Sequence, residues 1–213
     1  MLLVTALTLA NSYFPNIEAG ALQQLLAEEF ISQCLQEAGV ATVRRRRLPL
    51  ESVMMVVLGM TLYRGKVVWS IADKMQITLP GRRELVAPSA VVQGWQRLGS
   101  EAIRQVFHQT QQLWHHDANH PRWYGLQLLG VDEVVWWTPD TVENTEAFTK
   151  PITTADESAW PMVRMVCQME QTSHLFLGAT MDKYSTNEMT LAEQLIETTP
   201  DNRLICLTVA FTR

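Results

Sequence analysis

The sequence predicts a two-part α + α/β chain, helical over residues 1–120 and α/β over residues 121–213. Apolar residues recur at helical spacing through the first part. After Pro121 they gather instead into short runs rich in Val, Leu and Trp, which read as strands. The charge also reverses between the parts. Residues 38–110 carry eleven Lys and Arg against four Asp and Glu, whereas residues 121–213 carry six against thirteen.

The first helix is predicted over Ile17 to Ala38, where Leu22, Leu25, Leu26, Phe30, Ile31 and Leu35 form an apolar stripe and Gly39 supplies the stop. Arg44-Arg45-Arg46-Arg47 follows. Leu48-Pro49 then opens a second helix, with proline near the start, where its missing N–H costs nothing. That helix runs through Val53, Val56, Val57 and Met60 to Tyr63, and Gly65 breaks it. Val68 to Met75 reads as a short helix. Leu79 to Pro88 contains Pro80, Gly81, Arg82 and Arg83, and reads as a loop. Ser89 suits an N-cap for Ala90 to Leu98. Gly99 interrupts, and Ser100 caps a further helix through Ile103, Val106, Phe107 and Leu113 to Trp114. A short helix, a glycine and a second amphipathic helix form an arrangement that can read DNA, although many helical bundles share it.

His115 to Pro121 reads as the boundary between the parts. Leu126 to Trp137 is a long apolar run interrupted by Asp132 and Glu133, and is predicted as a buried strand or half a hairpin. Thr138 to Trp160 has little periodicity and reads as a long loop. Pro161 to Glu170 and His174 to Met181 are strands joined by Gln171-Thr172-Ser173, a hairpin signal. Asn187 caps a helix through Leu191, Leu195 and Ile196. Pro200-Asp201-Asn202 then turns into a buried strand over Leu204 to Val209. The predicted order is β, β, β, α, β.

Composition limits the function classes. Hydrophobic residues make up 47% of the chain and charged residues 18%, which supports a packed core and argues against disorder. The net charge is −5, but a basic segment joined to an acidic one points to a polyanion-binding part attached to a different part. Cys34, Cys167 and Cys206 are widely spaced and odd in number. They fit neither a disulfide framework nor a zinc pattern, so a reducing cytoplasm is expected. Met1 to Ala10 is apolar, but it lacks the basic start of a secretory signal and ends at Asn11 and Ser12. No segment is long and apolar enough to suggest a membrane partner.

Asp132 is the first candidate for chemistry, because an unpaired carboxylate inside an apolar strand is costly to bury. Two readings stand: a functional carboxylate, or a turn residue following a strand that ends at Val131. Arg44 to Arg47 reads either as phosphate contacts or as a solvated edge before a helix, and the basic segment around it favours phosphate. His115, His116, Asp117 and His120 suggest metal ligation, since His116 and His120 would share a helix face. Without a partner Cys or a second motif, a linker is the favoured reading. Phosphate-binding glycine loops and Ser/His/Asp elbows are absent.

Several longer stretches resemble insertion-sequence transposases of the "four" type. They are Arg45-Arg46-Arg47-Leu48-Pro49, Gly59-Met60-Thr61-Leu62-Tyr63-Arg64, Leu79-Pro80-Gly81, Val86-Ala87-Pro88-Ser89-Ala90-Val91-Val92-Gln93 and Gln96-Arg97-Leu98-Gly99. The family strand Leu-Leu-x-Val-Asp-Gly-x-Val-Trp-x-Thr-Pro-Asp-Thr is matched by Leu128-Leu129-Gly130-Val131-Asp132-Glu133-Val134-Val135-Trp136-Trp137-Thr138-Pro139-Asp140-Thr141. Pro161 to Glu170 and Glu188-Met189-Thr190-Leu191-Ala192 match as well. The resemblance extends from about Thr42 onward.

The resemblance implies a helical DNA-binding domain over residues 1–120 and an incomplete ribonuclease-H-like domain over residues 121–213. It also implies transposition by DNA strand cleavage and transfer, at an Asp-Asp-Glu site holding two Mg2+ or Mn2+ ions. Asp132 falls on the first Asp, and is the expected catalytic residue and metal ligand. Arg44, Arg45, Arg46, Arg47, Arg82, Arg83 and Arg97 are the expected DNA contacts. The expected partners are the double-stranded ends of an insertion sequence and an intact transposase subunit. Two departures set this chain apart. Glu133 replaces the glycine after the first Asp, and Thr208-Val209-Ala210-Phe211 stands where the family has Asp-Arg-Gly-Phe. With the chain ending at Arg213, the catalytic Glu region is expected to be missing and the product truncated and inactive. The alternative function is that of a non-catalytic DNA-binding regulator or inhibitor of an intact transposase.

Overall fold

The structure is a computed structural model that describes residues 26–40, 48–63, 65–75, 88–152 and 158–207. It divides into two compact units, the first ending at Gln109 and the second beginning at Thr110. The architecture is mixed helix and sheet, as the sequence predicts at that level.

Four helices shape the first unit: α1 (Glu28–Glu37), α2 (Leu50–Leu62), α3 (Val68–Lys74) and α4 (Pro88–Asp117), of which the part up to Gln109 belongs here. Ile31 and Leu35, one turn apart on α1, are fully buried together with Cys34. Each such side chain contributes about 1.5–3 kcal/mol relative to exposure. Pro49 is the N-cap of α2, consistent with a helix that starts where proline stands. Helix α2 is apolar on most of its surface and lies at the centre of the core, where Val53, Met54 and Val56 meet Ile71 and Met75. Gly59 permits the approach of α3, because a Cβ there would sit 2.9 Å from Ile71 Cγ2 and 3.0 Å from Met75 Cγ. Helix α4 adds Val91, Leu98, Ala102 and Val106 to the same core. The sequence places two helices across Gly99, and the structure breaks there as expected: Gly99 takes a non-helical conformation, φ 70° and ψ 174°, so that Pro88–Asp117 is two helical stretches meeting at a kink.

The second unit is built on a four-stranded sheet of order β3-β2-β1-β4, with β1 Gln127–Trp137, β2 Met162–Glu170, β3 Phe176–Lys183 and β4 Arg203–Leu207. Strand β2 runs antiparallel to both β1 and β3, whereas β4 runs parallel to β1. Helix α6 (Glu188–Glu197) forms the crossover between β3 and β4. It starts at Asn187, whose side chain accepts from the Met189 amide at 2.8 Å, as the capping signal predicts. Leu191, Ala192 and Leu195 of α6 pack on Val131 and Val166 from one face of the sheet.

Three expectations need correction here. The stretch from Thr138 to Trp160 is not one loop, because it contains the short helix α5 (Val142–Phe148). Thr141 caps this helix, but none of its residues is buried, so it carries no apolar period to read. Strands β1 and β4 are not buried along their length. Trp136 and Trp137 are exposed at the end of β1, and Leu204 and Leu207 are exposed on β4, which pairs only with β1 among the described strands. Finally, His115 to Pro121 is no bare linker. Helix α4 extends to Asp117, and His115 Nδ1 lies 3.0 Å from His120 Nε2.

Gly59→Ala is expected to lower the stability of the chain by roughly 1–3 kcal/mol, because both facing side chains are buried and must shift. A denaturant titration followed by helical circular dichroism checks this; an unchanged midpoint would show that α2 and α3 do not pack this closely.

Candidate functional site

Asp132 lies in the middle of β1, which has a strand on each edge. Antiparallel pairing sets it opposite Cys167 of β2. On the other edge, Gly130 and Val131 lie level with Cys206 and Leu207 of β4. Side chains alternate along a strand, so Val131 and Glu133 face the side covered by α6 while Asp132 points to the open side. Asp132 is exposed, and its Oδ1 accepts from the Glu133 amide at 2.9 Å. The strand continues to Trp137, which removes the reading in which it ends at Val131. A groove of about 490 Å³ surrounds the carboxylate, lined by Trp136, Met165, Cys167, Met169 and Phe176 among others.

Glu133 is turned away from Asp132 and engaged elsewhere. Its Oε2 lies 3.0 Å from Arg164 Nε. Arg164 also donates through Nη1 to the Thr186 carbonyl at 2.7 Å and stacks 4.8 Å from the centre of the Tyr184 ring. A hydrogen bond with Glu133, followed by partial burial, holds the Glu188 carboxyl above its ordinary value. This cluster ties the start of α6 to β1 and β2, and Glu133 also borders the groove around Asp132.

Of the other acidic residues near the sheet, two are committed and a third is distant. Asp140 binds Lys150 at 2.9 Å. Asp182 of β3 accepts from Thr186 and from the Lys183 amide, and the Thr186 bond is the main cause that holds it below the usual carboxyl range. Asp201 precedes the end of β4 that pairs with Gln127, five residues along β1 from Asp132, or roughly 17 Å at the rise of a strand.

A hard divalent cation on the open face would require about six oxygen ligands. Besides Asp132, the groove is lined by Glu133, which is paired with Arg164, by Gln171, and otherwise by two methionines, aromatic rings, aliphatic residues and the cysteines Cys167 and Cys206. Burial, and then the Asp132 charge, push the Cys167 thiol up to about 11, so it stays protonated near neutral pH, and sulfur is a soft donor poorly matched to a hard cation. No group of three His, Cys, Asp or Glu that could hold a metal ion occurs among the described residues. These residues do not fit a two-cation centre.

Of the residues expected to contact DNA, only Arg97 is described. It is exposed on α4, with Nε donating to the Gln93 carbonyl at 3.1 Å. Arg44, Arg45, Arg46, Arg47, Arg82 and Arg83 lie outside the described residues, as does Thr208.

One carboxylate is not singled out by the sequence. Glu170 ends β2 with no exposed surface, and it accepts from the amides of Thr172 and Ser173 at 2.9 and 2.6 Å and from both hydroxyls. Burial alone would raise its pKa, but these four donors, the Ser173 amide foremost, bring it down to about 2. A signal is present, since Thr and Ser two and three residues after an acid favour a local hydrogen-bonded turn. The length of Gln171-Thr172-Ser173 announces the hairpin, but the chemistry of those residues is what announces the buried acid.

A family model described as insertion element 4 transposase N-terminal matches residues 16–108. The chain is 50% identical over 184 residues to the transposase InsG for insertion sequence element IS4 of Escherichia coli (strain K12), a match covering 86% of this chain and 42% of that protein. It is 34% identical over 198 residues to the putative transposase InsZ of the same organism, covering 89% of this chain and 63% of that one. The chain thus spans less than two thirds of each of these relatives.

The Asp132–Cys167 pairing can be measured through the thiol. At pH 8 a thiol pushed up to about 11 should alkylate at least about tenfold more slowly than an ordinary cysteine, after allowing for its greater intrinsic nucleophilicity. Asp132→Asn removes the neighbouring charge and is expected to speed Cys167 labelling, read by peptide mass spectrometry. Ordinary reactivity at Cys167 in the folded chain, or indifference to Asp132→Asn, would place the two side chains apart.

Proposed function

The chain belongs to the insertion element 4 transposase family, and from that premise we propose that it acts on insertion-sequence ends as a DNA-binding transposase chain without strand-cleaving activity of its own. In this reading the domain over residues 1–120 binds the DNA. The domain over residues 121–213 is the opening of a ribonuclease-H-like fold, with Asp132 as its first carboxylate. Three antiparallel strands followed by a helix and a strand parallel to the first support that assignment.

The observation that carries the absence of cleavage is the register of β4. Leu207 lies level with Val131, and the next residue in sequence is Thr208, a neutral hydroxyl where the family pattern has its second Asp. The chain offers Asp132 and no second acid from β4, and a two-metal mechanism needs carboxylates to neutralise both ions. Mg2+ or Mn2+ is the cofactor of the parent chemistry rather than of this chain. The same substitution favours a second reading, in which the protein regulates or inhibits an intact transposase through shared DNA ends or mixed subunits. A cytoplasmic location fits both readings, and no helix among the described residues is long and apolar enough to cross a membrane.

DNA binding through the basic segment should weaken steeply with salt, because each phosphate contact releases a counterion. Replacing Arg44 to Arg47 with Ala is expected to weaken binding to all sequences alike and to lower the salt slope by up to about 0.9 for each phosphate no longer neutralised. Electrophoretic mobility shifts over a salt series measure both; an unchanged affinity at low salt would remove the run from the interface. The purified chain is expected to leave linear DNA with insertion-sequence ends intact in Mg2+ or Mn2+, and Thr208→Asp alone is expected to restore nothing. Nicking by the wild type that disappears in Asp132→Ala would overturn this part of the reading.

A further inference from the structure

His115, His120 and Glu170 form a chain of contacts that the proposed function does not use. His115, near the end of α4, points Nε2 at the Phe176 carbonyl of β3, 3.0 Å away. Its Nδ1 lies 3.0 Å from Nε2 of His120. His120 Nδ1 is buried without a formed hydrogen bond and lies 3.4 Å from Glu170 Oε2, with the His120 side chain 11% exposed and that of Glu170 0% exposed. The segment after α4 is thereby joined to the start of β3 and the end of β2.

Proton positions follow from the partners. A carbonyl only accepts, so His115 Nε2 carries a proton. Glu170 is an anion saturated by Thr172 and Ser173, so a bare Nδ1 lone pair on His120 would be repelled, and that nitrogen carries a proton too. One further proton is needed between the rings. The pair therefore holds three protons on four nitrogens, one positive charge beside one carboxylate. A fourth proton sets two N–H groups against each other at 3.0 Å. Removing one of the three leaves facing lone pairs, either between the rings or at Glu170.

We propose that this pair is a single-proton clasp, which fastens the end of α4 and the following segment to the β2–β3 hairpin only while the two histidines share one extra proton. The charged groups around it are Glu170 on β2, Arg203 on β4 and Arg122 beyond the segment itself. Burial holds His115 below its ordinary value, and the His120 and Arg203 charges act in the same direction, against the Phe176 carbonyl and Glu170. The acid limit of the clasp therefore lies below the ordinary histidine range, since His115 is neutral in the folded chain until the pH has fallen past that value. Its alkaline limit is loss of the shared proton.

The test is a titration of the full, 15N-labelled chain between about pH 5 and 8.5, the range in which histidines change charge, followed by ring-nitrogen NMR. The His115 ring is expected to respond in two steps separated by more than about one unit, as a site strongly coupled to its neighbour does. His120→Gln should reduce the His115 response to one step and shift its midpoint. Hydrogen exchange at the Ala118 amide, corrected for intrinsic rate, should be slowest between the two steps. A single step for the wild-type His115 ring, or pH-independent protection of that amide, would overturn the clasp. Because both readouts exist in the wild type, the result stands even if His120→Gln fails to fold.

Discussion

Side chains of β1 alternate between the two faces of the sheet, which β2 borders from Leu129 to Trp137 and β4 from Gln127 to Val131. Val131 takes the face under α6, packed with Val166, Leu191 and Leu195, and alternation then forces Asp132 to the opposite face. A slip of one residue would bury the carboxylate among those apolar side chains and expose Val131. Burying such a charge without a partner costs several kcal/mol, so the apolar core fixes where the carboxylate sits. The same alternation carries Glu133 to the α6 side, where Arg164 and Glu188 receive it.

The far end of the α6 face is finished by a charge instead of a hydrophobe. Glu170 occupies the last position of β2 with no exposure. A buried carboxylate is tolerable only when donors replace its water, and the turn that follows supplies them from two amides and two hydroxyls. These donors define the β2–β3 hairpin, since the residues that turn the chain are those that solvate the acid. They also leave Glu170 ionised at any ordinary pH, a fixed anion around which the histidine pair is arranged.

The two units differ in what they offer a partner. In the first, the core is assembled from α2 and the faces that α1, α3 and α4 turn towards it, and the family model matches this region. The second presents a sheet with one face under α6 and the other open around Asp132. The surroundings of that carboxylate are soft and apolar, and the thiol opposite it remains protonated. In the proposed function, this chemistry separates a chain that holds DNA from one that also cuts it.

Much of this is legible in the residues themselves. Periodicity locates the described helices of the first unit and the apolar runs of the four strands. Asn187 marks the start of α6, and the motif around Asp132 identifies both the family and the carboxylate at the centre of the open face. These features are local, recorded in spacing and in the preference of particular side chains for caps and turns. Other features are decided by tertiary structure. Helix α5 has no buried residue and so leaves no pattern. The exposure of β4 depends on which strands and helices cover it, which a run of Leu, Ile and Val does not record. His115, His120 and Glu170 are up to 55 positions apart, and only the pairing of β2 with its neighbours brings them together. Local preference can be read along the chain, whereas a buried charge is stabilised by groups distant in sequence, and their approach exists only once the sheet has formed.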